Sequence, residues 1–302
     1  MTWWARPFAK PGVTEPGLGT GISTGVGLAV LAAALMHASW NALIRGAPDK
    51  QQYTILLHAC AALLAVVGLC VTGWPSLASL PYIAASAVLH WIYIALLMRI
   101  YDGGQLAVGY VAMRGLAPML VSLVSVFALQ EPLSAQAWLG VAAILAGVMT
   151  IALASGQPVG LLLRHASGRA ALLNAGVIAA YTLVDGQGVR QSGNPLGYVF
   201  TLVLFDPLMV LALQVRRDPA ALLAYARRHW PLGFLGASIS TGAYAIVLWA
   251  MTQAPIAVVA AMRESSVIFA VLIGSLWFKE GRLRPGLLAA LCVALGVTLI
   301  KW

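Results

Sequence analysis

One stretch of this sequence occurs twice. The first copy reads Ala112-Met113-Arg114, an apolar run to Ala128-Leu129, then Gln130-Glu131-Pro132-Leu133 and a second apolar run through Gly140 and Gly147-Val148. The second copy reads Ala261-Met262-Arg263, an apolar run to Leu276-Trp277-Phe278, then Lys279-Glu280-Gly281-Arg282 and a closing run through Gly296-Val297. Arg114 and Arg263, Glu131 and Glu280, and Gly147 and Gly296 all stand 149 residues apart, about half the chain, so the polypeptide is a duplicated unit. Each arginine lies well inside an apolar run long enough to cross a bilayer, where a charge costs roughly 2.5–3.5 kcal/mol even on lenient insertion scales. Such a residue turns toward a bundle interior or a wet cavity. It either lines a site or pathway, or acts as a strut paired with a carboxylate.

The composition explains why those runs must be membrane spans. Of 302 residues, 61% are hydrophobic and only 9% charged. A water-soluble globule carries about a quarter charged residues, so this chain has too little polar surface to cover itself. Apolar runs fall at about 22–45, 52–73, 80–100, 104–129, 134–154, 170–190, 196–215, 230–252, 255–278 and 284–301. This predicts an all-α membrane protein of ten transmembrane helices, five in each half. Breakers such as Gly73-Trp74-Pro75, Glu131-Pro132, Gly193-Asn194-Pro195 and Pro231 fall at the connections or first turns.

The organisation that follows is a tail over 1–21, a first five-helix repeat over 22–154 and a second over 170–302. Pro7, Pro11 and Pro16 keep the tail from forming a span; Trp3 and Trp4 suit the membrane interface. With no apolar core and small-residue cleavage site, the tail does not read as a cleaved signal peptide. An odd number of helices per repeat makes the second half enter from the opposite side, so the repeats are expected to be inverted about an axis in the membrane plane.

The net charge of +9 is distributed in short connections and not along one amphipathic face, which argues against nucleic acid as a partner. Lys and Arg concentrate on the side away from the termini, with Arg45, Lys50, Arg99, Arg164, Arg169, Arg216, Arg217, Arg227, Arg228, Lys279, Arg282 and Arg284 there. That side is expected to be cytoplasmic, which puts both termini on the periplasmic, outer side of the inner (cell) membrane. Cys60, Cys70 and Cys292 fall inside apolar runs without ligand spacing, so neither a metal site nor a disulfide is expected. No GxxxxGK[ST] loop occurs and no cofactor is called for. The partners are then the lipid bilayer and a small-molecule substrate, with monomer and homodimer both left open.

The two joints, each a span ending in glutamate followed by a glycine-spaced span, are Gln130-Glu131-Pro132-Leu133 with Gly140 and Gly147, and Lys279-Glu280 with Gly296. On these the chain resembles the drug/metabolite transporter superfamily, specifically the EamA-type ten-helix carriers. The resemblance implies five-plus-five inverted repeats, a central cavity and export of small metabolites, commonly amino acids or their relatives. His37-Ala38-Ser39-Trp40-Asn41 looks like that family's Trp/Asn-bearing first span.

Polar residues inside the spans mark the candidate site. His37 and Asn41 share a helical face at i, i+4, beside Trp40. Asn174, Tyr181 and Asp185 form a stripe on the sixth helix, and His90 sits near the middle of the third with Tyr93 one turn on. Tyr110 precedes Arg114 by a turn, and Pro118 follows it, freeing the Arg114 carbonyl and making a candidate hinge. Asp206-Pro207 gives the seventh helix a similar break, with Pro207 as the second hinge. Adjacent Arg263 and Glu264 point about 100° apart on a regular helix, so one is expected to face the cavity and the other a neighbour. Asp185, Asp206 and Glu264 are three acids for two arginines; any left partly unpaired is a candidate proton carrier. Tyr110, Tyr181 and Tyr244 are the deep aromatics.

These residues point to a secondary transporter, not an enzyme. It would move, and by the resemblance export, an amino acid or related organic anion or zwitterion by alternating access, with Arg114 and Arg263 gripping the anionic group. The rival readings are a membrane-embedded enzyme acting on lipid or prenyl phosphates, and a carrier for efflux of cationic drugs. The histidines are dispersed and no HExxH occurs, which disfavours the enzyme; the buried arginines disfavour a cation site.

Overall fold

The computed structural model describes residues 22–102, 106–154, 166–208, 211, 218–277 and 283–301, with side chains 98, 101–102, 106–115, 151–154, 283–287 and 301 not included. The chain is an all-α membrane protein. Its helices are α1 Thr24–Gly46, α2 Lys50–Thr72, α3 Leu80–Asp102, α4 Leu106–Phe127, α5 Ala135–Ala154, α6 Ala166–Gln191, α7 Pro195–Phe205, α8 Pro219–Gln253, α9 Ile256–Arg263, α10 Ser266–Leu276 and α11 Leu283–Lys301. Among the described residues six apolar helical segments are long enough to span a bilayer, α9 and α10 counting together as one, Ile256–Leu276; four more apolar helices are shorter.

Local chemistry sets the starts. Ser23, Asp49, Asn194 and Asp218 each accept a backbone N–H of the first turn of α1, α2, α7 and α8 respectively, and Ser134 does the same for α5. Pro195 and Pro219 sit in the first turns of α7 and α8, where the missing N–H costs nothing. α4 ends at Phe127; just beyond it Gln130 adopts a positive φ of 55°, and the Glu131 N–H returns to the Ser125 carbonyl at 3.1 Å. This left-handed cap lets the chain turn sharply at the joint.

Two expectations about helix limits are corrected. The ninth run is not one helix: α9 stops at Arg263 and α10 begins at Ser266. Between them the N–H groups of Glu264 and Ser265 bond three residues back, to Ala261 and Met262. The eighth helix starts at Pro219, well before position 230, so Pro231 lies inside it and does not open it. The Asp218 cap and the helix-forming run Ala220-Ala221-Leu222-Leu223-Ala224 outweigh that proline. At 35 residues and 1.5 Å per residue α8 is about 50 Å long, more than the hydrocarbon thickness of a bilayer. Arg227, Arg228 and His229 are therefore helical residues, and His229 stacks on Tyr225 at 4.2 Å. The break expected at Asp206-Pro207 is present, since α7 ends at Phe205 with Asp206 as its cap. At Pro118 α4 continues as a helix.

α3 packs on α6 and α1 on α8; α4 also packs on α6, and α1 on α9 and α10. α5 and α11 make the closest helix pair. A Cβ on Gly140 would lie 2.6 Å from the Gly296 carbonyl oxygen, and one on Gly296 would lie 2.5 Å from that of Gly140. Two turns away, a Cβ on Gly147 would lie 2.8 Å from the carbonyl of Ala289. Gly147 pairs with Gly296 under the 149-residue step, and Gly140 with Ala289, so the contact is self-complementary between the halves. The tail over 1–21 lies outside the described residues.

Candidate functional site

α3 and α6 run antiparallel and build most of a polar and aromatic column. Buried Ser86 lies beside Asp185; one turn along, the His90 ring stacks on Tyr181 at 4.3 Å; further on, buried Asn174 donates to the Tyr93 carbonyl at 3.4 Å. Tyr93 and Tyr181 meet edge to face at 6.1 Å, and Tyr244 of α8 stands edge-on to His90 at 6.4 Å. The i, i+4 and i, i+3 spacings put Ser86, His90 and Tyr93 on one face of α3; Asn174, Tyr181 and Asp185 do the same on α6. His90, Tyr93, Tyr181 and Tyr244 are each half-buried, whereas Asp185 is 1% exposed.

Asp185 accepts the Tyr198 hydroxyl at 3.0 Å on one oxygen and the Tyr244 hydroxyl on the other. Among the described residues neither lysine nor arginine bridges to it; the Arg114 side chain lies outside them. The sequence pattern missed Ser86 and Tyr198. Ser86 was marked only by standing one turn before His90, and Tyr198 lies in the unremarkable apolar run of α7. α9 approaches α6 at the same level: a Cβ on Gly186 would lie 2.5 Å from the Ile256 side chain.

Arg263 and Glu264 occupy the break between α9 and α10. Both are buried, and Arg263 Nη2 lies 3.7 Å from Glu264 Oε1. A tight turn in place of a regular helix, together with the length of the arginine stem, brings the two ends together. Among the described residues, Arg263 Nε and the buried Ser265 hydroxyl have no hydrogen-bond partner. Arg114 and Tyr110 lie on α4 in the stretch whose side chains are outside the described residues.

The remaining candidates lie elsewhere. His37 and Trp40 form an edge-to-face pair at 5.2 Å, and the Asn41 amide donates to the His37 carbonyl of its own helix at 2.7 Å. Asp206 uses its backbone carbonyl to accept the Trp91 indole N–H at 3.0 Å, while its buried Oδ1 has no hydrogen-bond partner among the described residues. Pro118 offers its carbonyl to Ser122 at 2.8 Å, and buried Pro207 follows the end of α7.

A second polar centre, absent from the sequence reading, ties the helix ends together. Glu131 pairs with Arg190 and also accepts the Ser125 hydroxyl at 2.7 Å and the Ile256 N–H at 3.0 Å. Pro255 offers no side-chain cap for α9, so the glutamate fills that place across the bundle. Arg190 also donates to the carbonyls of Met251 and Ala254. Next to it the loop after α2 is tied to the turn before α7: Ser76 bonds to Gln191 and Ser192, and Asn194 to Thr72 and Gly73.

Among the described residues no group of three or more His, Cys, Asp or Glu is arranged to hold a metal ion. Residues 167–302 match the EamA-like transporter family. A solved structure described only as a crystal structure of a protein superposes with a TM-score of 0.68 at 14% identity, over 91% of this chain and 97% of that one. At that identity the likeness shows the fold alone. No curated protein matches the sequence.

Proposed function

We propose that the protein is a membrane transporter that carries a small metabolite, such as an amino acid or related organic anion or zwitterion, by alternating access and exports it from the cell; the match of residues 167–302 to the EamA-like transporter family supports this reading. The observation that carries this reading is a polar, aromatic-walled column inside the spans built from both halves, α3 from the first and α6, α7 and α8 from the second. A wet site at the junction of two repeats is what alternating access requires. We take the two halves as inverted repeats, a reading supported by the self-complementary packing of Gly140, Gly147, Ala289 and Gly296.

Within that site, Arg263 at the helix break and Arg114 on α4 would hold the anionic group. A broken span suits this part, because the N-terminal end of a half-helix such as α10 favours negative charge. His90, Tyr93, Tyr181 and Tyr244, with His37, Trp40, Asn41 and Tyr110, would contact the remainder, and Pro118 and Pro207 would allow the helices to bend. The outer placement of both termini and the location in the inner membrane belong to the same proposal. The test is a thermal-shift screen of the purified protein against amino acids, organic acids and phosphonates, followed by uptake of the hit into liposomes. A ligand at 100 times its Kd adds about 2.7 kcal/mol of stability. Solute recovered unchanged on the far side supports a carrier; chemically altered solute supports the enzyme reading.

A further inference from the structure

The two halves of the chain meet in contacts of two kinds. α5 and α11 pack backbone against backbone at Gly140 and Gly296, a close apolar contact that is costly to part. At the end of the bundle where α2, α4, α6 and α8 finish, the contacts are polar and run from one half to the other. Glu131 of the α4–α5 joint pairs through one carboxylate oxygen with Arg190 of α6 and accepts the Ile256 N–H of α9 on the other at 3.0 Å. Ser76 of the α2–α3 loop donates its hydroxyl to the Gln191 carbonyl at 2.7 Å and its N–H to the Ser192 carbonyl at 2.9 Å. Asn194 donates back to the Thr72 and Gly73 carbonyls at 2.7 and 3.1 Å. The ion pair at the centre of this set is reached by water, with side chains 26% and 16% exposed, so both charges can be resolvated when they part. The joint that carries Glu131 also holds Gln130 at a φ of 55°, a strained conformation that persists only while its surroundings keep it there.

We propose that Glu131 and Arg190 are the latch of a gate at this end of the carrier, closed in this structure, whose release parts the α4–α5 joint from α6 and from the start of α9. Glu131 is the moving partner. Arg190 keeps its own bonds to the carbonyls of Met251 at 2.7 Å and Ala254 at 3.0 Å, so it stays with the end of α8 when the carboxylate leaves. The latch also bears on the site assigned above to the solute. α9 has eight residues, about 12 Å in length, and is buried throughout. Glu131 holds its first N–H, and Arg263 closes its last turn. The latch and the arginine therefore act on the two ends of one short, tightly packed element, the kind of rigid piece through which two sites can bias each other.

The latch rests on the alternating-access reading, yet its test needs no solute. Spin labels are attached at Ala128→Cys and Gln253→Cys, exposed positions beside Glu131 and at the end of α8, in the full-length chain with Cys60, Cys70 and Cys292 replaced by alanine. The distance between the labels is measured in liposomes by pulsed electron spin resonance. The parent is expected to show one main, short distance. Glu131→Gln keeps the shape and an acceptor for the Ile256 N–H but removes the charge, and should raise the ratio of a longer to the short distance by about tenfold or more. Arg190→Gln should do the same, and the double variant no more than the larger of the two, because both act through one pair. Ser76→Ala, a mild change at an exposed position, should shift the ratio the same way by about threefold and stands as the deciding variant if the charge substitutions fail to fold. Distances in these variants that coincide with the parent would overturn the proposal and leave the pair a static tie, as would single effects that multiply in the double variant. An end that opens in Glu131→Gln in a protein that moves no solute would uphold the latch and remove the transport reading instead.

Discussion

Arg190 and Glu131 form an ion pair that joins the two halves of the protein, with side chains 26% and 16% exposed. The glutamate closes the joint between α4 and α5 and caps α9, while the arginine reaches the last carbonyls of α8. Removing one partner strands the other among backbone groups. Glu131→Gln and Arg190→Gln are each expected to cost about 3 kcal/mol of stability, and the double variant less than the sum. Unfolding in denaturant of the detergent-solubilised proteins measures this; single and double variants that simply add would show the pair to be uncoupled.

The α5–α11 contact predicts a second cost. Gly140→Ala and Gly296→Ala each place a methyl against a backbone carbonyl at 2.6 and 2.5 Å, so the helices must separate. Each is expected to lower stability by about 1–3 kcal/mol, the range for overpacking. Gly25→Ala, with nothing within 4 Å of the new carbon, is the control and should leave the melting temperature unchanged.

Gln130 offers the opposite sign. It holds a φ of 55° in the cap after α4, a conformation that costs an L-residue roughly 1–2 kcal/mol. Gln130→Gly is expected to raise stability by about 0.5–1 kcal/mol, the remainder being lost to the flexibility of glycine in the unfolded chain. A lowered melting temperature would mean that the glutamine side chain contributes more than its backbone costs.

The concentration of Arg and Lys in one set of connections predicts orientation. A reporter fused after Trp302 should report the periplasm and one inserted between Arg216 and Arg217 the cytoplasm. The reverse pattern would invert the membrane placement and leave the fold untouched.

The spans were legible because a bilayer demands long apolar runs, and a cap such as Asn194-Pro195 announces itself, whereas the Asp218-Pro219 start of α8 was passed over in favour of Pro231. The break at Arg263–Ser266 was not, since no proline or glycine marks it. His90, Tyr181 and Asp185 could be picked out as polar groups in apolar helices, but nothing local said that α3 and α6 would bring them together. The pairing of Arg190 with Glu131 joins positions 59 residues apart and depends wholly on tertiary packing.

Arg263 bears most directly on the claim that the column carries an anionic or zwitterionic solute. Uptake of the screened solute into liposomes is compared with melting temperature for the parent chain, Arg263→Ala, Arg263→Lys and Arg263→Ala with Glu264→Gln. Loss of one charge-assisted contact worth at least 1.4 kcal/mol predicts a fall in uptake of about tenfold or more in Arg263→Ala, partial recovery in Arg263→Lys, and a protein that still inserts and melts near the parent temperature. Normal uptake by a stable Arg263→Ala protein would contradict the account. So would a collapse in stability that Glu264→Gln restores, because the arginine would then be a strut for its neighbour and no part of the solute's site.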